Sequence, residues 1–468
     1  MCEGYVLRGN EHVTFGVQAV KKWLGPLWWY TLILFCVQRA GDVINAFVGL
    51  YLVPKYVPQS ELGAVLPLAQ IGGALGLPLA ILSAPFAKYL NTYATHGEVG
   101  KVKSLLRDAF VIQGVAFVVL MVYARFFMPM VFERMRVQEG SLGMLVVTCG
   151  VLGSFAPVFN SALQALKKFR PMAICGLISA PVRLVSMIIC MPIRALSGYF
   201  MGQIIPTACN IAITLFGLRQ LLGPGVKAEP YLRTDWKPML RYALSVSVIV
   251  IVGTLQSTVE GFVIRHRLPD VESAGYYIIS RFAELGSYAG ITISTVMFPL
   301  VAERHERGDN PVRLLWETMA GSLGFGLLLA AAFYFVGARI LGLLPAWREY
   351  VLFAPQMALL TVLYALRSAC SCFSNYEMAC RRFGFIWYVG LTVIVECVLL
   401  YGLTGYSFFA PWLSKETIEW MASLRAARLE FLMGMMVWAS VIPLAFMMLQ
   451  LAVRHMRYRR CVGNADSC

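Results

Sequence analysis

Residues Thr318 to Ala338, TMAGSLGFGLLLAAAFYFVGA, run for 21 positions without a charged side chain. About 20 apolar residues in a helix match the roughly 30 Å hydrocarbon thickness of a bilayer, where the backbone must satisfy its own hydrogen bonds. The stretch therefore reads as a membrane-spanning helix. Working outward from it, eleven further runs of the same kind can be marked, and the whole chain becomes a series of twelve spans. Their approximate limits are 28 to 53, 61 to 89, 105 to 129, 143 to 166, 171 to 193 and 196 to 218 in the first half. The second half gives 239 to 264, 271 to 302, 314 to 338, 350 to 375, 383 to 405 and 429 to 453.

Composition agrees with this reading. Of 468 residues, 59% are hydrophobic and 14% charged, with mean hydropathy +0.68, against about 45–50% apolar and about 25% charged in ordinary globular chains. These figures exclude a disordered protein and a disulfide-stapled secreted module. The stretch through Lys21 and Lys22 does not read as a cleavable signal, because the apolar segment after it is too long and lacks a small-residue cleavage site. It reads as an amphipathic lead-in on the membrane surface.

A net charge of +15, from 40 Lys and Arg against 25 Asp and Glu, would suggest nucleic acid in a soluble protein. Here the charges sit in short loops between apolar runs. The loops on the side of the termini hold 24 basic residues, the opposite loops 12, and four lie inside spans. By the positive-inside rule both termini are cytoplasmic. The 12 cysteines include no CxxC pair, and all five histidines fall in loops or tails, so neither a zinc site nor a thiol redox motif is expected.

The sequence around span two resembles that around span eight at an offset near 212. Glu61 and Gly63, a long apolar helix, Pro85, Lys88, then Gly97 and Glu98 match Glu272 and Gly275, a helix, Pro299, Arg304, then Gly308 and Asp309. Six spans separate the copies, so the halves share one orientation. Parallel repeats about an axis along the membrane normal are a transporter arrangement, with the substrate site between them near the midplane. The expected units are 1–228 and 229–468, each a six-helix bundle, with a linker from Gly223 to Lys237. In span two, Gly72, Gly73 and Gly76 are expected to let helices approach closely.

An ionisable group costs about 2.5–3.5 kcal/mol at the centre of a span on insertion scales, so such groups face a cavity or a partner. Eight stand out: Arg39, Asp42, Arg183, Glu260, Arg281, Glu284, Arg367 and Glu396. Arg39 with Asp42, and Arg281 with Glu284, share an i, i+3 spacing that allows a local ion pair. Such pairs either neutralise themselves and hold packing in register, or place an arginine that binds an anion beside a carboxylate that exchanges H+ or Na+. Arg183 and Arg367 have no acid nearby in sequence and keep their charge, so each needs an anion, carbonyls or water. Glu260 and Glu396 are candidate coupling sites; a structural hydrogen bond is the alternative for Glu396.

The stretch Ala274-Gly-Tyr-Tyr-Ile-Ile-Ser-Arg281-Phe, continuing through Val296-Met-Phe-Pro299-Leu to Gly308 and Asp309, resembles span eight of polysaccharide flippases in the multidrug/oligosaccharidyl-lipid/polysaccharide (MOP) exporter superfamily. Val336-Gly-Ala-Arg-Ile340-Leu-Gly-Leu-Leu and span ten also resemble their second half. The resemblance covers most of the chain as spacing. It implies an all-α integral membrane protein of about 12 helices, two six-helix bundles in a V around a central cavity that opens to either face in turn. It further implies transport of an undecaprenyl-diphosphate-linked oligosaccharide across the bacterial inner membrane, with other polysaccharide-assembly proteins as partners. Lipid II flippases of the superfamily show a similar Tyr-Tyr-x-x-x-Arg pattern whose Arg lies in the cavity, and Arg281 matches it. Arg39 matches an Arg of their first span; a second Arg common there is replaced near Asn45. Those flippases have fourteen spans where this chain has twelve.

The residues alone are compatible with that function. Arginine forks can replace the water of a diphosphate with charge-assisted hydrogen bonds, which makes Arg39, Arg183, Arg281 and Arg367 the candidate substrate ligands. Asp42, Glu260, Glu284 and Glu396 are the candidate coupling groups, for H+, Na+ or the membrane potential. No cofactor, metal or nucleic acid is expected. Two alternatives stand: a cation-coupled multidrug antiporter of the same fold, expected to have an acidic cavity, and a membrane polysaccharide polymerase or glycosyltransferase. Short outer loops and the absence of an Asp-x-Asp pair argue against the enzyme.

Overall fold

Uncharged runs with few helix breakers can satisfy their backbones only within themselves, and the computed structural model accordingly contains helices and no strand among its described residues. It describes residues 41–137, 142–165, 169–222, 227–230, 232–307, 311–380, 382, 384–387, 389–391, 393–396 and 429–465. Seven of the described helices are long and apolar enough to cross a bilayer. Spans two and three are Gln59–Thr95 and Val99–Met135, of 37 residues each. At 1.5 Å per residue they run about 55 Å, well past the hydrocarbon. Leu142–Ala165 is span four. Phe169–Leu222 contains spans five and six, reversed at Arg194 and at Ala195 with φ 39°, the two positions left between the runs read from sequence.

Span seven is Leu232–Arg267, so its helix begins inside the expected linker. Span eight is two helices, Asp270–Ala283 and Leu285–Glu306, broken at Glu284. Val312–Leu343 is span nine, Ala354–Ala379 span ten and Leu429–Ala465 span twelve. Spans one and eleven are described only in part, over 41–56 and within 384–396.

The repeat has a local cause at its two starts. Span two opens after Pro58 and span eight after Pro269, and each proline carbonyl accepts the first helical bond, Leu62 N–H to Pro58 O and Ser273 N–H to Pro269 O, both at 2.9 Å. Proline cannot continue a preceding helix, yet it can open the next. The two starts then meet: a Cβ on Gly63 would overlap Ser273. Gly72 and Gly76 bring span two against Val146 and Gly150 of span four, whereas Gly73 faces open space. Within a bilayer, close van der Waals packing through small residues replaces the hydrophobic effect as the force between helices.

Three buried apolar clusters define the shape. The largest draws on both halves, joining Leu62 to Leu68, Met128 to Val151 and Tyr199 with Val263, Ala274 to Ala283, Trp347 and Met433. The second lies wholly in residues 296–451 and the third wholly in 86–218. One end of the molecule is thus a core common to both halves, and the other is two separate cores. A V of two helical bundles is the result, as the fold class expected.

Candidate functional site

The intramembrane charges gather along the faces where the halves approach, in two groupings. In the first, Arg281 lies in the last turn of Asp270–Ala283, where a cation suits the helix dipole. Its guanidinium donates to both oxygens of Glu284, at 2.9 and 3.2 Å, and lies 5.3 Å from the centre of the Tyr277 ring. Tyr277 in turn donates its hydroxyl to the carbonyl of Gly49 in span one, at 3.1 Å. Gly49 leaves the Arg281 stem room, since a Cβ there would stand 3.5 Å from Arg281 Cδ. From span five, Arg183 Nη1 donates to Asn45 Oδ1 at 2.8 Å. Guanidinium groups from the two halves therefore both border span one, one helical turn apart, at Asn45 and at Gly49.

In the second grouping, Arg367 of span ten donates from Nη1 to Glu260 Oε2 at 2.7 Å and from Nη2 to Glu396 Oε1 at 2.8 Å. Tyr276 donates to the other oxygen of Glu260, and Gln256 Nε2 to that of Glu396 at 2.5 Å. Glu260 and Glu396 are buried, at 3% and 2% exposure, while the Arg367 side chain keeps 21%. Every carboxylate oxygen is occupied, yet two carboxylates share one cation. The formal charge is −1 when both are ionised, a state that burial makes costly and that a bound proton or metal cation relieves.

The structure thus brings six of the eight sequence candidates into these two groupings. Arg281 and Glu284 form the local pair that their spacing allows. Arg367, without an acid in its own sequence neighbourhood, has two in space, and Glu396 is its partner rather than an isolated hydrogen-bonding group. Arg183 is held by an amide. That amide belongs to Asn45, so the bond ties span five to span one. Asp42 sits half-buried on span one. Arg39 lies outside the described residues. Among the described residues, the Nε groups of Arg183, Arg281 and Arg367 are buried and have no acceptor.

Sequence reasoning gave Tyr276 and Tyr277 no role beyond their place in the Tyr-Tyr-x-x-x-Arg pattern, and passed over Gln256, although Tyr277 stands one helical turn before Arg281. It also assigned Arg265 to a loop. Arg265 is fully buried and ties the halves together at their common end. Its Nε donates to Met135 O at 2.9 Å, one Nη to Ser60 O at 2.6 Å and the other to Asp270 at 3.0 Å. Beside it, Arg136 reaches the same Asp270 at 3.1 Å and Leu268 O at 2.9 Å. Among the described residues no group of three or more His, Cys, Asp or Glu side chains is placed to hold a metal.

Comparison of the fold with solved structures points in one direction. The chain is similar to an inward-facing multidrug resistance MATE family transporter of the MOP superfamily, with TM-score 0.62 and 13% identity over 90% of this chain and 98% of the other. A Vibrio cholerae MATE transporter gives TM-score 0.60 and 14% identity over 94% and 98%. A MOP superfamily transporter from Pyrococcus furiosus, whose binding pocket is described as having reversed polarity that suggests a different function, gives 0.58 and 12% over 93% and 98%. The fold is therefore that of these multi-pass membrane transporters. No family model matches the sequence, and no curated protein matches it.

Proposed function

We propose that the chain is an alternating-access transporter of the MOP type that moves an undecaprenyl-diphosphate-linked oligosaccharide across the bacterial inner membrane for surface polysaccharide assembly. The observation that carries this reading is that Arg183, from one half, and Arg281, from the other, both border span one within one helical turn, at Asn45 and Gly49. A diphosphate entering between the halves loses its water, and two planar guanidiniums with spare N–H donors replace it. Because they sit on opposite halves, an anion between them draws the halves together, and its release lets them part. With both termini cytoplasmic, the common core lies at the outer face and the two separate cores at the inner face. The structure then represents the state open to the cytoplasm, where a lipid-linked substrate is loaded. Asp42, three residues before Asn45, lies on the same face of span one.

The grouping of Glu260, Arg367 and Glu396 is the coupling site in this account, taking up H+ or Na+ to relieve its surplus negative charge. That same surplus favours the second reading, a cation-coupled multidrug antiporter, whose cargo would be cationic and would compete with the ion. Reconstituted protein separates the two. Protein-dependent movement of a lipid-linked diphosphate saccharide, lost in Arg281→Ala, supports the flippase. Movement of a cationic dye that survives Arg281→Ala, with none of the lipid, refutes it.

A further inference from the structure

We propose that the seam between spans three and seven is a binding site for an anionic phospholipid, independent of the cargo. An apolar groove of about 390 Å3 opens there, floored by Ile71, Ala74 and Leu75 of span two and walled by Phe127, Met130 and Val131 on one side and Val259 and Phe262 on the other. Thr258 also lines it, its hydroxyl turned to the Thr254 carbonyl at 2.7 Å. Phe127 and Met130 are exposed and continue the lipid-facing surface of span three, which includes Val118, Val119, Val122 and Phe126. A groove of this size open to hydrocarbon is filled by a chain.

The rim decides which lipid. Arg134 closes the groove at the end where the halves share a core, seven residues or about 10 Å along the helix from Phe127. In the segments 133–136 and 265–270 four arginines stand against Glu133 and Asp270. Arg136 and Arg265 already share Asp270, and Arg134 and Arg267 are exposed. A phosphate at Arg134 with an acyl chain in the groove matches both chemistries, as basic rims between spans do for anionic headgroups. The groove has walls from both halves, so an occupant stabilises the arrangement in which their common core is closed.

The test is native mass spectrometry of the purified full chain with added palmitoyl-oleoyl-phosphatidylglycerol or palmitoyl-oleoyl-phosphatidylcholine. Phosphatidylglycerol is expected to bind about tenfold more tightly than phosphatidylcholine, worth about 1.4 kcal/mol. Arg134→Gln, at an exposed side chain, should remove that preference. Val259→Trp should fill the groove and remove retention of both; Ala74→Leu serves if the tryptophan variant does not fold. Equal binding of the two lipids, or unchanged retention in the variants, overturns the proposal. So does displacement of phosphatidylglycerol by undecaprenyl phosphate at equal concentration, which would assign the groove to the cargo.

Discussion

The two charged groupings are built from the same residue types and have opposite balances. Beside span one, Arg183 and Arg281 stand against Glu284, the extra cation held among the described residues by the Asn45 amide. Around Arg367 the ratio reverses, two carboxylates to one guanidinium. The first grouping straddles the halves and the second belongs to one of them. In the proposed transport cycle, a surplus cation at the seam calls for an anion that comes and goes with the motion, whereas a surplus carboxylate inside one bundle calls for a proton or small cation. Under the proposed function the difference divides cargo from coupling, and each side of it can be broken on its own.

The largest effect is expected where the second grouping loses its cation. Arg367→Met leaves Glu260 and Glu396 buried side by side without compensation, and removing one partner of a buried ionic group costs about 3–5 kcal/mol. Thermal unfolding in detergent should show a much less stable protein, largely rescued by the double change Glu260→Gln, Glu396→Gln. Next, Arg281→Ala should weaken binding of a lipid-linked diphosphate about 10- to 100-fold, the equivalent of losing charged hydrogen bonds of about 1.5–3 kcal/mol, with a smaller fall in melting temperature than Arg367→Met, because the Glu284 side chain left behind keeps 23% exposure. Arg183→Ala should act in the same direction, which ties the two halves to one ligand.

Smaller effects sharpen the contrast. Glu396→Gln keeps a partner for Arg367 and balances the grouping, so transport should persist and lose its dependence on a pH or sodium gradient in proteoliposomes. Gly49→Ala places a methyl at ordinary contact distance from Arg281. Stability should change by no more than about 0.5 kcal/mol and transport should stay near the wild-type rate; a large loss would mean that Arg281 must swing through the space above Gly49.

Much of the fold was legible because the bilayer makes its demands on consecutive residues. The break at Arg194 and Ala195 fell between two runs, and the identity of the intramembrane charges followed from their cost. Their partners did not. Glu260 and Glu396 lie 107 and 29 positions from Arg367, and Asn45 lies 138 from Arg183; nothing in a local pattern relates such pairs. The Arg281–Glu284 pair was readable because one helix turn carries both. Arg265 shows the opposite failure. Counted with the loop charges, it is buried because Ser60, Met135 and Asp270 from three separate segments close around it. Gly73, read with its neighbours as a packing glycine, opens instead on a cavity that it lines with Cys149 and Gly153 of span four and Tyr199 of span six.

The most direct measurement is the rate at which purified protein in proteoliposomes moves a fluorescent undecaprenyl-diphosphate-linked saccharide between leaflets. Arg183→Ala, Arg281→Ala and the double variant would be measured beside the wild type. The account predicts protein-dependent movement, a loss of about 10- to 100-fold in each single variant, and little further loss in the double, as two groups holding one anion would give. Equal rates in wild type and Arg281→Ala, with all proteins folded, would contradict it.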